Sequence, residues 1–210
     1  MKTIVCFGDS NTWGYSPETS SRYDIHTRWP GVLRDRLGSD WWVIEEGLNG
    51  RTTVHDDRLE PGRCGKDYLL PCLITHKPFD ILLIMLGTND LKKRFDLPPS
   101  DIALGVQALA EIARASDTGI DDAPPEVILI CPPPLAPLEG TRFEEMFAGG
   151  YEKSFKLAAH YRAVAEEIGC RLIDAGEIVA SSPGEGIHWQ ASEHRKLGEY
   201  VANYIRQHFG

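Results

Sequence analysis

A three-layer α/β/α domain with a parallel five-stranded sheet is predicted by three features of the 210-residue chain. Short apolar runs alternate with longer segments whose apolar residues recur at helical intervals. The clearest run, Asp80–Leu86, is apolar after its first residue, as a strand covered on both faces requires. Turn-forming residues close the strong runs: Gly8, Gly87 and Pro132. Strand–helix alternation of this kind builds a parallel sheet with helices on both faces and right-handed crossovers.

In chain order, Thr3–Phe7 reads as a first buried strand and Trp29–Leu37 as a helix with Val32, Leu33 and Leu37 inward. Trp42–Glu46 is a second strand, and Tyr68–Thr75 a helix that Pro71 starts or kinks. After Asp80–Leu86, the segment Ile102–Ala115 is helical through Ile102, Val106, Leu109, Ala110 and Ala113. Glu126–Cys131 is a strand stopped by Pro132–Pro134, which form a rigid wall. Tyr151–Ile168 reads as one long helix, Arg171–Asp174 as the last strand, and Ala191–Phe209 as a closing helix with Leu197, Val201, Ile205 and Phe209 on one face. Asp117–Pro125 reads as a dispensable exposed loop. No linker or repeat interrupts the pattern, so residues 1–210 form one domain.

Bulk chemistry narrows the function. A formal net charge of −9 disfavours nucleic acid and anionic membrane surfaces as partners. No stretch approaches the roughly 20 apolar residues of a membrane span, and the first apolar run is too short for a signal peptide. Five cysteines, Cys6, Cys64, Cys72, Cys131 and Cys170, lack Cys-x-x-Cys spacing and read as reduced thiols, which implies a cytoplasmic location. The histidines other than His188 (His26, His55, His76, His160, His194 and His208) are scattered and read as surface or capping residues.

In an open parallel sheet, sites form beyond the carboxyl ends of the strands. Gly8-Asp9-Ser10-Asn11 follows the first strand there. Ser10 is either an exposed nucleophile or a helix cap, and Asp9 braces its turn. Gly47-Leu48-Asn49-Gly50-Arg51-Thr52-Thr53 follows the second strand; Gly50 is either a loop glycine or a backbone donor that needs close approach. Gly87-Thr88-Asn89-Asp90 follows the third, where Asn89 is a turn residue or an amide donor to an oxyanion. Before the closing helix, Glu185 precedes His188 by three residues, close enough for the acid to hold the ring through Nδ1. Arg51 braces loops or steers an acidic substrate, and Asp56-Asp57 are solvated or bind a cation. Together the strand ends supply a nucleophile, donors, a base and an orienting acid, the inventory of acyl transfer.

These four blocks, in this order, resemble those of the SGNH, or GDSL, hydrolases over the whole chain. Thr12-Trp13-Gly14, Ile44–Thr53, Ile84–Asp90 and Pro132–Pro137 resemble the arylesterase and acyltransferase branch more narrowly. The resemblance implies the family's flavodoxin-like SGNH fold. It implies Ser10 as nucleophile, His188 as general base, and an oxyanion hole of the Ser10 and Gly50 N–H groups with the Asn89 amide. It further implies hydrolysis of short, acetyl-type esters through an acyl-enzyme, with acyl transfer or perhydrolysis as side reactions. A carbohydrate deacetylase is the alternative, and a binding or scaffold protein with an impaired triad a further one. Small-molecule esters are the partners, a homo-oligomer is the expected state, and no metal or organic cofactor is implied. Arg51–Tyr68 and Ala136–Gly150 are candidate oligomer contacts. Asn11, Trp13 and Ile187 are candidate pocket residues, and Trp189 lines the pocket or packs the last helix. The family's acid is normally aspartate in Asp-x-x-His, whereas this chain has Glu185. The rivals to Glu185 are a Ser–His dyad supported by backbone carbonyls, or Asp174, which also suits a cap of the Gly176 turn.

Overall fold

The computed structural model describes residues 1–210. Its five strands are β1 (Lys2–Gly8), β2 (Trp41–Gly47), β3 (Ile81–Met85), β4 (Glu126–Cys131) and β5 (Arg171–Asp174). All pair in parallel, in the order β2-β1-β3-β4-β5. β1 lies between β2 and β3, so the chain reverses its direction of travel across the sheet beside β1. A crevice opens at such a switch point, beyond the carboxyl ends of β1 and β3.

The sheet is sealed on both faces because successive side chains of a strand alternate in direction. Val5 and Phe7 of β1 join Leu82 and Ile84 of β3 in one core, with Leu109 and Tyr161 above them. Ile4 and Cys6 join Ile81, Leu83 and Met85 in the other, against Trp29, Leu33, Leu197 and Val201. The first core is roofed by α3 (Gly65–His76), α4 (Pro99–Arg114) and α6 (Leu157–Ile168), the second by α2 (Trp29–Leu37) and α7 (Ala191–Phe209). No helix is long and apolar enough to cross a membrane.

Several sequence expectations are corrected. Tyr151–Ile168 is two helices, α5 (Gly150–Ser154) and α6. Ser154 causes the break: its hydroxyl donates to the Tyr151 carbonyl (2.6 Å) and accepts from the Leu135 N–H (3.0 Å), competing with the helical ladder. α3 begins at Gly65, so Pro71 lies inside it rather than at its start. The Asp117–Pro125 segment is not merely an exposed loop: Thr118 is buried and its carbonyl accepts the Phe79 N–H (3.2 Å) at the entrance to β3. A four-residue helix, α1 (Ser10–Trp13), follows β1 directly.

His194 is not a surface residue. It is fully buried in α7, and its Nδ1 accepts the backbone N–H of Trp29 (3.3 Å). The rings of Tyr23 and Trp189 pack on it, each with its centroid at 5.3 Å. Burial, and then the nearby His188, push its pKa down to about 3. The folded pKa lies below the unfolded value, so the unfolded chain binds the extra proton, and stability falls as pH drops from about 6.5 towards 3. Between pH 7 and pH 5 this group costs about 2 kcal/mol. Denaturant titrations of wild type and His194→Gln should therefore diverge in pH slope by about that amount; parallel slopes would remove His194 as the acid-sensitive group.

Candidate active site

Ser10 is the first residue of α1, immediately beyond β1. The serine does not cap this helix. Asp9 is the N-cap, its Oδ1 accepting the Asn11 N–H (3.0 Å). That bond braces the turn and leaves the Ser10 hydroxyl for His188. Burial raises the pKa of Asp9 to about 6, although the Asn11 bond and the charges of His188 and Arg51 act in the opposite direction.

His188 Nε2 lies 2.9 Å from Ser10 Oγ. Its Nδ1 is hydrogen-bonded to Glu185 Oε1, which also accepts the His188 backbone N–H (3.0 Å). The longer glutamate thus folds back onto two nitrogens of His188, the backbone N and Nδ1. Gly186, at φ +90°, lets the loop turn this tightly. Burial pushes the Glu185 pKa up, but the bond and charge of His188, helped by Arg142, outweigh it and hold the carboxyl below its usual value. Glu185 Oε2 has no hydrogen bond, and its nearest cation is Arg142 at 3.5 Å. Arg142 in turn donates to Tyr15 Oη (2.7 Å), and Tyr15 packs its ring on the His188 imidazole at 4.2 Å between centroids. Asp174 does not stand in as the acid: its Oδ1 accepts the Gly176 N–H (3.0 Å) and caps that turn.

Two further groups, Gly50 and Asn89, line the same cavity as Ser10 and His188. Gly50 has φ +80°, a conformation that strains any side chain, and a Cβ there would also have to displace the tip of Glu60, 2.5 Å away. Its N–H makes no hydrogen bond within the chain. Asn89 Nδ2 donates to the Arg51 carbonyl (3.1 Å) and lies 3.5 Å from Asp9 Oδ2. Asp90 fixes the loop that carries Gly50: it accepts the Thr53 N–H (3.0 Å) and hydroxyl (2.6 Å) while fully buried. Arg51 braces loops, as its first reading had it. It donates to the Gly8 carbonyl (2.9 Å) and to that of Glu46, and lies 4.2 Å from the Phe7 ring centre. Asp57 is neither solvated nor a cation site, being buried against Arg94 and Lys92.

Ser10, Gly50, Asn89 and His188 line a cavity of about 370 Å³. One wall is apolar, made by Phe143, Met146, Phe147 and Ile187; another is polar, made by Asn49, Glu60 and Lys92. Of the three expected pocket residues only Ile187 is in this lining. Asn11 is buried behind it, with its amide donating to the Ile187 carbonyl (3.4 Å), and Trp13 lies under the Arg22 guanidinium at 5.0 Å. The turn of α1 that presents Ser10 sends both of its successors elsewhere. Trp189 is wholly buried and packs the last helix. The sequence did not point to Tyr15, Arg142 or Phe143 individually. The only signal was the long Ala136–Gly150 segment, which supplies the last two.

The model of the GDSL-like lipase/acylhydrolase family matches residues 6–195. The chain belongs to this family. Its fold is shared with the aryl esterase of M. smegmatis, at TM-score 0.94 and 41% identity over 99% of each chain. A carbohydrate acetylesterase from Sinorhizobium meliloti matches at TM-score 0.95 and 38% identity over the whole of both chains. A G-D-S-L-family lipolytic protein from Veillonella parvula, 18% identical at TM-score 0.68, shares the fold alone. No curated protein sequence matches. This GDSL-family chain is a carboxylic ester hydrolase, and its Glu185 is hydrogen-bonded to His188.

Proposed function

We propose that the chain is a serine esterase for short acyl esters, with Ser10, His188 and Glu185 as its triad. The observation that carries this reading is the continuous relay from Ser10 Oγ to His188 Nε2 (2.9 Å) and from His188 Nδ1 to Glu185, opening onto a cavity. His188 takes the Ser10 proton as Oγ attacks the ester carbonyl. The resulting oxyanion is held by the Ser10 and Gly50 N–H groups and by the Asn89 amide hydrogen that now lies at long range from Asp9. Collapse of the intermediate breaks the ester C–O bond, and His188 returns the proton to the departing alcohol. Water, deprotonated by the same histidine, then attacks the acyl-Ser10, and as the acyl–Oγ bond breaks His188 returns that proton to Ser10 and the acid leaves. An alcohol or peroxide in place of that water gives acyl transfer or perhydrolysis, and the apolar wall favours the less polar acceptor.

The carbohydrate acetylesterase relative supports a short acyl group, which the apolar wall would receive. The polar wall of Asn49, Glu60 and Lys92 favours the second reading, an acetylated sugar whose hydroxyls would be bonded there. The M. smegmatis and S. meliloti relatives carry these two activities in their names. Five free cysteines suit a reducing cytoplasm. A homo-oligomeric state rests on the resemblance to the arylesterase branch alone.

Hydrolysis of p-nitrophenyl acetate, p-nitrophenyl octanoate and an acetylated xylose, with fluorophosphonate labelling in parallel, tests the reading. Acetate should outpace octanoate, and the probe should label one serine. Fast labelling with turnover confined to the sugar ester would install the deacetylase. A protein that neither labels nor turns over any of the three would be the binding or scaffold member, and the esterase reading would be wrong.

A further inference from the structure

Outside the catalytic cavity, one group of side chains has the chemistry of a transition-metal site. Glu46, near the end of edge strand β2, faces Cys72 and His76 of α3, and their ligand atoms all lie within 4.8 Å of one another. Cys72 and His76 are four residues apart on one helix, so they project from the same face. Carboxylate, thiolate and imidazole are the donor types that zinc takes in its tetrahedral sites. At ordinary zinc–ligand distances the donor atoms of such a shell stand roughly 3.4–3.6 Å apart. Here Glu46 Oε1 and His76 Nε2 are hydrogen-bonded at 2.7 Å and would open by less than about 1 Å. The thiol of Cys72 would close by a comparable amount.

The surroundings fit an ion rather than a sealed core. Cys72 is buried and its thiol takes part in no hydrogen bond of the fold, whereas the side chains of Glu46 and His76 are 18% and 23% exposed. The cluster is therefore open on the outer edge of the sheet, which leaves a route for the ion and a position for a water as fourth ligand. Tyr68, one turn before Cys72, donates to Glu46 Oε2 (3.3 Å) and orients the carboxylate from behind. Burial, and then the Glu46 charge, push the Cys72 thiol up to about 12, with Arg51 acting the other way, so an ion bound here must displace the thiol proton.

We propose that Glu46, Cys72 and His76 form a binding site for a zinc-class divalent ion that clamps α3 to the end of β2. Binding forms the metal–sulfur bond and releases the thiol proton to solvent. The clamp would lie behind the oxyanion loop: Gly50 follows Glu46 by four residues, and the Glu46 carbonyl accepts from Arg51.

The test is a titration of the whole protein with Co²⁺ and then Zn²⁺, reading the near-ultraviolet thiolate-to-cobalt band. One equivalent should produce the band in wild type and in His188→Ala, and zinc should displace it. Cys72→Ser should abolish the band. His76→Ala and Glu46→Gln, at partly exposed positions, should each weaken binding at least tenfold while keeping the native circular dichroism. No band in wild type, a band surviving in Cys72→Ser, or loss of binding in His188→Ala alone would each overturn the proposal.

Discussion

Ser10→Ala and His188→Ala are each expected to lower kcat on p-nitrophenyl acetate by about 10⁶-fold, and the double variant should be no worse. The two side chains act as one unit because neither is competent alone. The Ser10 hydroxyl is a poor nucleophile until its proton has somewhere to go, and the acceptor Nε2 is 2.9 Å away. A residual rate of about 10³-fold over water should survive in all three variants, since the Gly50 N–H and the Asn89 amide remain. Steady-state kinetics on the three proteins checks this. A double variant much slower than either single one would mean that Ser10 and His188 contribute separately and that the relay is not the catalytic unit.

Glu185→Gln should cost about 10⁴-fold in kcat with little change in KM. The carboxylate accepts from Nδ1–H and so leaves Nε2 bare to take the Ser10 proton. An amide can donate to Nδ1 instead, which stabilises the opposite tautomer and points a proton at the serine. Glu185→Asp preserves the acceptor charge and should lie well above Glu185→Gln, although the shortened side chain retreats from Arg142. Arg142→Ala should lower kcat in the Glu185 protein and change little in Glu185→Asp, if the guanidinium serves chiefly to hold the second oxygen of the longer acid. A Glu185→Gln enzyme within about tenfold of wild type would eliminate the acid and leave a Ser–His dyad, because Asp174 is occupied by Gly176.

What was legible beforehand follows from how local each signal is. Strands such as Ile81–Met85 stand out because both faces are buried and every residue must be apolar. Ser10, Gly50, Asn89 and Glu185-x-x-His188 stand out because each is a short motif at a strand or helix end, and their order along the chain is as informative as their identity. The aromatic and cationic surround of His188 was hidden for the opposite reason. Tyr15, Arg142 and Phe143 meet the imidazole only through tertiary folding, and no spacing links residue 15 to residue 142. Helix α6 was merged with α5 because apolar periodicity carries across a single side-chain bond such as that of Ser154. The burial of His194 is hidden because one histidine among polar helix residues looks like any surface histidine, whereas the capping alternative holds: its Nδ1 accepts the first N–H of α2.

Ser10 and His188 are 178 positions apart, yet they must meet within a single hydrogen bond. The nucleophile belongs to the first strand–helix junction and its base to the approach to the last helix. Catalytic competence is therefore a property of the completed chain topology and not of any contiguous fragment. On the proposed roles, a nascent or refolding chain with β1 to β4 in place would hold Ser10, Gly50 and Asn89 but lack His188. Turnover would then start late and in one step, so the reaction itself can serve as a clock for the closure that joins the first strand–helix junction to the loop before the last helix.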